Sequence, residues 1–281
     1  LFSFAVSHKL IDSVESSITQ VIIEDDNSAI WTLNNANAAK WIFQGKNDCK
    51  IEWEYSNGED FRLLSAHDNQ VMLASLQSIR LIRIGAFSRE IRVELNPKDI
   101  WDHGLFYGNH CLVCSDSKIL LYDWKNGELE ESYENQIGSV EAIGIDGDEE
   151  TVACSFAHGH VEIWKLVYSR EDASLTLCER DTTLQPTGNM VGLQFHPFHP
   201  RLFGCKENGE ILIWNTDSWL LHQNLALSIT DDFEIRDFKI SPQGAHLFLL
   251  DSSDKEMFIH QFAFPPPYLT ILRYFEVDHL L

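Results

Sequence analysis

Ile211-Leu212-Ile213-Trp214 places a tryptophan after three apolar residues, and Val161-Glu162-Ile163-Trp164 has a similar pattern 50 residues earlier. Short apolar runs and apolar alternation of this kind indicate β-strands. Related segments occur at residues 28–31, 79–82, 119–122 and 257–260. Their last residues serve as anchors, which are Trp31, Ile82, Tyr122, Trp164, Trp214 and His260. Successive anchors are 51, 40, 42, 50 and 46 positions apart, so the sequence contains an internal repeat.

The later repeats share one internal order of strands and turns. Residues 190–195 and 201–205 form predicted strands around a turn at His196-Pro197, and Asn208-Gly209 marks a tight turn before the third strand. A fourth strand is predicted at residues 90–95, 128–133 and 219–225. No window of a dozen residues has convincing helical periodicity. The sequence therefore predicts an all-β protein.

Four-stranded units repeated around an axis form a β-propeller, which leaves only short strand edges exposed. The segments that end at Trp164 and Trp214 resemble WD40 repeats, and the resemblance covers nearly the whole chain. The repeats are degenerate, because Lys165 and Asn215 stand where a Trp-Asp pair would have its aspartate. The resemblance implies a WD40-like β-propeller.

The number of blades depends on the two ends of the chain. Residues 1–11 and 268–281 are both apolar enough to form strands. We expect one propeller domain over residues 1–281, with seven blades and both ends contributing to the last one; six blades is the alternative. Because the sequence begins at Leu1 rather than Met, we also expect it to be part of a longer protein.

Charge and composition exclude several classes of function. The chain has 43 acidic and 21 basic residues and a net charge of −22, which disfavours binding to nucleic acid backbones and to anionic lipid surfaces. No segment reaches the roughly 20 apolar residues of a membrane helix. Six cysteines spread over a chain of 281 residues fit a reducing compartment. We expect a cytoplasmic protein, with a nuclear location as the alternative.

Sequence motifs for catalysis or metal binding are missing. No G-x-S-x-G, H-E-x-x-H, P-loop or G-x-G-x-x-G occurs. Cys111 and Cys114 form a single C-x-x-C, but on a strand they point to opposite faces, so we expect buried cysteines rather than a metal site. We expect no enzymatic activity, no cofactor and no metal.

A propeller without catalytic motifs is most simply a platform for binding other proteins. In WD40-type propellers the residues just before each innermost strand commonly contact partners, and the repeat register places Ser139, Asn189 and Glu234 there. Trp101 lies outside the anchor register and is a candidate interface residue or a core residue. Phe198 lies in the predicted turn after residue 195 and is a further candidate.

A narrower resemblance concerns the C-terminal half. Residues 157–166, the pair Trp214 and Trp219, and the proline-broken aromatic tail at 268–281 resemble the propeller of the enhancer-of-mRNA-decapping scaffolds of the Varicose/Hedls type. The resemblance implies a cytoplasmic, processing-body scaffold that binds the decapping enzyme or its activators and has no catalytic activity. The alternative is a propeller subunit of a nuclear pore, a vesicle coat or a chromatin complex.

Overall fold

A computed structural model gives the architecture of the chain. It describes residues 20–23, 29–34, 37–43, 49–56, 58, 60–67, 69–75, 78–84, 89–94, 101–107, 110–115, 118–134, 137–146, 151–168, 175–184, 188–226, 234–241, 244–252, 257–263 and 270–277. These residues form β-strands, turns and one short 3-10 turn, Ala157–Gly159. Within these ranges no helix is long and apolar enough to span a bilayer. The all-β prediction is confirmed.

The described strands form six four-stranded sheets, and every sheet contains four strands that are consecutive in the chain. The first three sheets consist of β1 (Gln20–Ile23), β2 (Ala29–Asn34), β3 (Asn37–Phe43) and β4 (Cys49–Ser56); β5 (Arg62–His67), β6 (Gln70–Ala74), β7 (Ser78–Arg83) and β8 (Arg89–Glu94); and β9 (Trp101–Tyr107), β10 (His110–Ser115), β11 (Lys118–Asp123) and β12 (Glu128–Glu134). The other three consist of β13 (Val140–Ile145), β14 (Thr151–Phe156), β15 (His160–Tyr168) and β16 (Leu175–Leu184); β17 (Met190–Phe195), β18 (Arg201–Lys206), β19 (Glu210–Asn215) and β20 (Leu221–Ala226); and β21 (Glu234–Ile240), β22 (His246–Ser252), β23 (Met257–Ala263) and β24 (Thr270–Val277).

The predicted number of blades is not settled by these sheets. Residues 1–19 lie outside the described ranges, so the proposed closure by the N-terminal end stays a prediction. At the other end, β24 pairs with β23 in the sixth sheet. The chain divides into two compact units. One comprises Leu1–Leu112, Tyr122–Glu128 and Leu280–Leu281, and the other comprises Val113–Leu121 and Leu129–His279.

In the second unit, first strands of consecutive sheets pack closely together. A side chain at Gly144 of β13 would meet the carbonyl oxygen of Leu193 in β17 at 2.7 Å. A side chain at Gly192 of β17 would meet the ring of Phe238 in β21, also at 2.7 Å. Glycine at these two positions lets one sheet approach the next. The cores between the sheets are apolar, and each contains buried residues from both sheets.

The anchor of the first repeat was predicted wrongly. Trp31 lies in β2, the second strand of its sheet, whereas the other anchors lie in third strands. The equivalent residue is Trp41 of β3, which stands 41 positions before Ile82 and so restores a regular period. Trp41 donates a buried hydrogen bond from Nε1 to Oγ1 of Thr32, at 2.9 Å. The prediction failed because β2 also places a tryptophan after apolar residues.

The fourth sheet lacks a hydrogen bond equivalent to the one that Trp41 donates to Thr32 between the second and third strands of the first sheet. Trp164 is opposite Val152 in the register of β14 and β15, just as Trp41 is opposite Ile30 in the first sheet. Two residues beyond Val152 stands Cys154, at the position that Thr32 occupies. The indole nitrogen of Trp164 is buried and makes no hydrogen bond. A buried donor without a partner costs about 1–3 kcal/mol of stability.

Tight turns connect neighbouring strands, and the one predicted at Asn208-Gly209 is confirmed. Asn208-Gly209 joins β18 to β19, with the Gly209 N–H bonded to Lys206 O and the Glu210 N–H bonded to Asn208 Oδ1. Asn126-Gly127 joins β11 to β12, with the Gly127 N–H bonded to Asp123 O and the Glu128 N–H bonded to Asn126 Oδ1. The fourth strand of the fifth sheet begins at Leu221 rather than at residue 219, because Trp219 adopts a positive φ of 56° within the preceding turn.

The cysteines with described side chains are free thiols. Cys111, Cys114, Cys154 and Cys205 are all buried, in agreement with the prediction of buried strand cysteines. Burial, together with the neighbouring Cys154 thiol, raises the pKa of the Cys114 thiol well above its ordinary value. The side chains of Cys49 and Cys178 lie outside the described set.

Candidate functional site

The predicted interface residues lie at or near the ends of four different strands. Ser139 and Asn189 immediately precede β13 and β17, as the repeat register predicts. Phe198 lies in the loop after β17, so Asn189 and Phe198 are at opposite ends of that strand. Glu234 is the first residue of β21, and Trp101 is the first residue of β9. The side chains of Glu234 and Trp101 are not among those described.

Ser139 and Asn189 are brought together by the turn between β14 and β15. The Ala157 N–H donates to Ser139 O at 2.8 Å, and the His158 N–H donates to Asn189 Oδ1 at 3.3 Å. His158 has a φ of 68°, which is uncommon for a residue with a side chain. His158 and Asn189 are both exposed. The turn therefore links the starts of two consecutive first strands and presents polar groups beside them.

Gly159 lets this turn lie against the next sheet. Its φ is 76°, and a Cβ atom there would collide with the backbone of Gly188. Glu141 contributes a second contact between the same two sheets, since its Oε2 accepts the Met190 N–H at 3.2 Å. Burial raises the pKa of Glu141 above its ordinary value, and the nearby Glu207 carboxylate also raises it; the Met190 hydrogen bond and His158 act in the opposite direction.

A similar contact joins the fifth sheet to the sixth. The Ile235 N–H donates to Glu207 O at 2.9 Å, so the turn between β18 and β19 meets the start of β21. Glu207 is exposed. Lys206, which precedes it, forms an ion pair with Glu210, and hydrogen bonds from Lys206 and Asn224 lower the pKa of that carboxyl. We call these neighbouring residues the polar end: Ser139, Glu141, His158, Asn189, Lys206 and Glu207.

At the opposite end of β17, the imidazole of His196 fixes the loop that carries Phe198. Its Nδ1 accepts the N–H groups of Phe198 and His199, each at 3.1 Å. With Nδ1 accepting, Nε2 carries the proton and donates to Gly244 O at 3.1 Å. Phe198 is 71% exposed. The predicted turn is confirmed here, and its histidine bridges the fifth and sixth sheets.

Among the described residues no three His, Cys, Asp or Glu side chains lie together as a possible metal site. Asp146 closes the β13–β14 connection, because its N–H donates to Thr151 O and its Oδ1 accepts the Thr151 N–H.

The sequence predicted two of the six polar-end residues, Ser139 and Asn189, and did not predict the other four. Glu141 and His158 act through contacts between sheets, which no linear pattern reveals. The two predicted residues share a local pattern. Gly138-Ser139-Val140 and Gly188-Asn189-Met190 have the same order of glycine, polar residue and apolar residue at the start of a first strand. The two glycines both have positive φ, so this order marks the turn into the strand.

Comparison with solved structures identifies the fold. The chain is similar to Hsv2 of Kluyveromyces lactis, with a TM-score of 0.68 and 13% sequence identity over 90% of this chain and 76% of that one. It is also similar to Sqt1 of Saccharomyces cerevisiae, with a TM-score of 0.66 and 12% identity over 92% of this chain and 74% of that one. Both are WD40 propeller proteins, so the predicted WD40-like propeller fold is confirmed. No protein-family model matches the sequence, and comparison with curated proteins finds no match.

Proposed function

We propose that the chain is a non-catalytic platform that binds a partner protein through its polar end. The observation that carries the proposal is the pair of hydrogen bonds by which the Ala157–Gly159 turn joins Ser139 to Asn189. Interfaces gain affinity when their groups are ordered before binding, because less conformational entropy is then lost. His158 and Asn189 are exposed groups held in this way.

The charge of the chain favours a basic surface on the partner. The net charge is −22, and the polar end contains the carboxylates of Glu141 and Glu207. Opposite charge on a partner speeds encounter and fixes its orientation more than it adds affinity. Nucleic acid and anionic membranes are disfavoured for the same electrostatic reason.

The finer proposal is that the partners belong to the mRNA decapping machinery in the cytoplasm. It is supported by the resemblance of residues 157–166 and of the C-terminal half to decapping scaffolds, and the turn at the centre of the polar end falls within residues 157–166. A subunit of a nuclear pore, vesicle coat or chromatin complex is the second candidate, favoured if the same surface captures those proteins instead.

A comparative pull-down tests both levels of the proposal. The wild-type chain, Asn189→Arg and Lys165→Ala serve as baits in nuclease-treated lysate, with bound proteins quantified by mass spectrometry. Lys165 is exposed and near the other end of β15, so its variant is the matched control. We expect a set of proteins to be lost with Asn189→Arg and retained with Lys165→Ala. Decapping factors in that set would support the finer proposal, and an unchanged set would refute the polar end as the binding site.

A further inference from the structure

The far end of the fifth sheet exposes apolar side chains on two neighbouring loops. Phe198 is 71% exposed and Leu220 is 69% exposed, the highest values among the large hydrophobic side chains with described burial. Leu221, which follows, is 50% exposed. The loops are joined by a hydrogen bond from the Thr216 N–H to Pro200 O at 3.0 Å. Exposed apolar side chains on adjoining loops are typical of interaction sites.

Both loops are held in place by their own hydrogen bonds. In the second loop, Asn215 Oδ1 accepts the N–H groups of Asp217 and Ser218, and Asn215 O accepts the Trp219 N–H at 2.7 Å. Trp219 packs against the core of the fourth and fifth sheets in spite of its positive φ. The turn therefore exposes Leu220, while the neighbouring Trp219 anchors the turn to the core. Because these loops are already ordered, little conformational entropy would be lost when a partner binds them.

Charge indicates which kind of occupant fits. A second copy of the chain has the same charge of −22 and is repelled at long range, and an anionic lipid surface is repelled as well. Asp217, on the Leu220 loop, is an exposed carboxylate. It stands three residues before Leu220 and can pair with a lysine or arginine. The complement of this surface is thus a segment that combines apolar side chains with basic ones.

We propose that Phe198, Leu220, Leu221 and Asp217, the apolar end, bind a short segment of another protein in which apolar residues stand next to Lys or Arg. This site is at the opposite end of β17 from the polar end, and it does not depend on the function proposed for that end. With both ends occupied, one propeller holds two partners at the same time.

Selection from a phage-displayed library of random dodecapeptides tests the proposal. Peptides are selected on the full chain and counter-selected on a Phe198→Ser/Leu220→Ser double variant, and their affinities are measured by fluorescence anisotropy. We expect peptides with apolar residues beside Lys or Arg, which bind the double variant at least about 30-fold more weakly. Asp217→Asn should weaken binding about 3-fold at low salt, and this difference should vanish at about 0.5 M salt.

Control variants test whether the loss of binding is confined to the apolar end. Leu129→Ser removes a leucine of comparable exposure, 51%, outside the apolar end, and should leave affinity unchanged. His158→Ala alters only the polar end and should also have no effect. Circular dichroism checks that the double variant is folded. The proposal is overturned if no selected peptide discriminates the double variant, if the selected peptides are acidic, or if sedimentation shows a wild-type dimer that the double variant abolishes.

Discussion

Replacing His196 by phenylalanine tests whether its imidazole links the fifth and sixth sheets. The ring is buried and makes three hydrogen bonds, to the N–H groups of Phe198 and His199 and to Gly244 O. At roughly 1 kcal/mol each, and with the two loop N–H groups able to turn to water, we expect a loss of about 2–3 kcal/mol. A chain of this size melts about 2–4 °C lower per kcal/mol, so the melting temperature should fall by about 4–12 °C.

Two conservative variants, His196→Asn and His196→Gln, separate the contribution of the loop N–H contacts from that of the contact with Gly244 O. Asparagine at residue 196 can still accept the two loop N–H groups, whereas glutamine can reach only toward Gly244 O. Calorimetry measures the melting temperature, and hydrogen exchange measures protection of the Phe198 and His199 amides. We expect His196→Asn to keep that protection and His196→Gln to lose it. If His196→Phe has the melting temperature of the wild type, or if the Phe198 and His199 amides are equally protected in all three variants, the His196 hydrogen bonds contribute nothing to stability.

The same histidine makes stability depend on pH. Burial lowers its pKa from the ordinary value; the hydrogen bond to Gly244 O raises it, and His199 and Arg201 lower it further. The unfolded chain therefore binds the proton more readily, with a pKa of about 6.5. The stabilisation is present above that pH and is lost as the pH falls through the lower folded value. Urea melts between about pH 5 and 7.5 should show this slope, and His196→Phe should reduce it.

Two further substitutions, one of them with a control, test the packing of the sheets by thermal melting. Thr32→Val should cost about 1–2 kcal/mol, because the Trp41 indole then loses its buried acceptor; no change in melting temperature would contradict this. Gly159→Ala should cost about 2–4 kcal/mol through positive φ and collision, whereas Gly58→Ala, with similar φ and open space, should cost about 1 kcal/mol; equal losses would exclude the collision.

The strands of the fifth sheet could be predicted almost to the residue. Apolar runs define β17, β18 and β19, and Asn208-Gly209 has the turn chemistry that a tight hairpin requires. The first sheet could not be predicted as well. Trp31 directly follows apolar residues, whereas Lys40 interrupts the apolar run before Trp41, so the pattern selected the wrong tryptophan and only the register between β2 and β3 shows which one lies in the third strand.

The candidate site was only partly accessible from the sequence. The repeat register correctly placed Ser139 and Asn189 before first strands, because that register is local. Glu141 and His158 join the site through hydrogen bonds to backbone and side-chain atoms more than 30 positions away, which the sequence does not encode in any periodic form. Phe198 was correctly placed in a turn, but its distance from Asn189 follows from the length of β17 alone.

The two Asn-Gly turns have a consequence for how the protein ages. Asparagine before glycine deamidates when the glycine nitrogen attacks the side-chain carbonyl and closes a succinimide ring. In the β18–β19 turn, the Gly209 N–H is bonded to Lys206 O, while Asn208 Oδ1 is held on the Glu210 N–H. The nucleophile and its target are both restrained, and the same holds for Asn126-Gly127. These dipeptides, usually the quickest to deamidate on storage, should persist for as long as the hairpins stay folded.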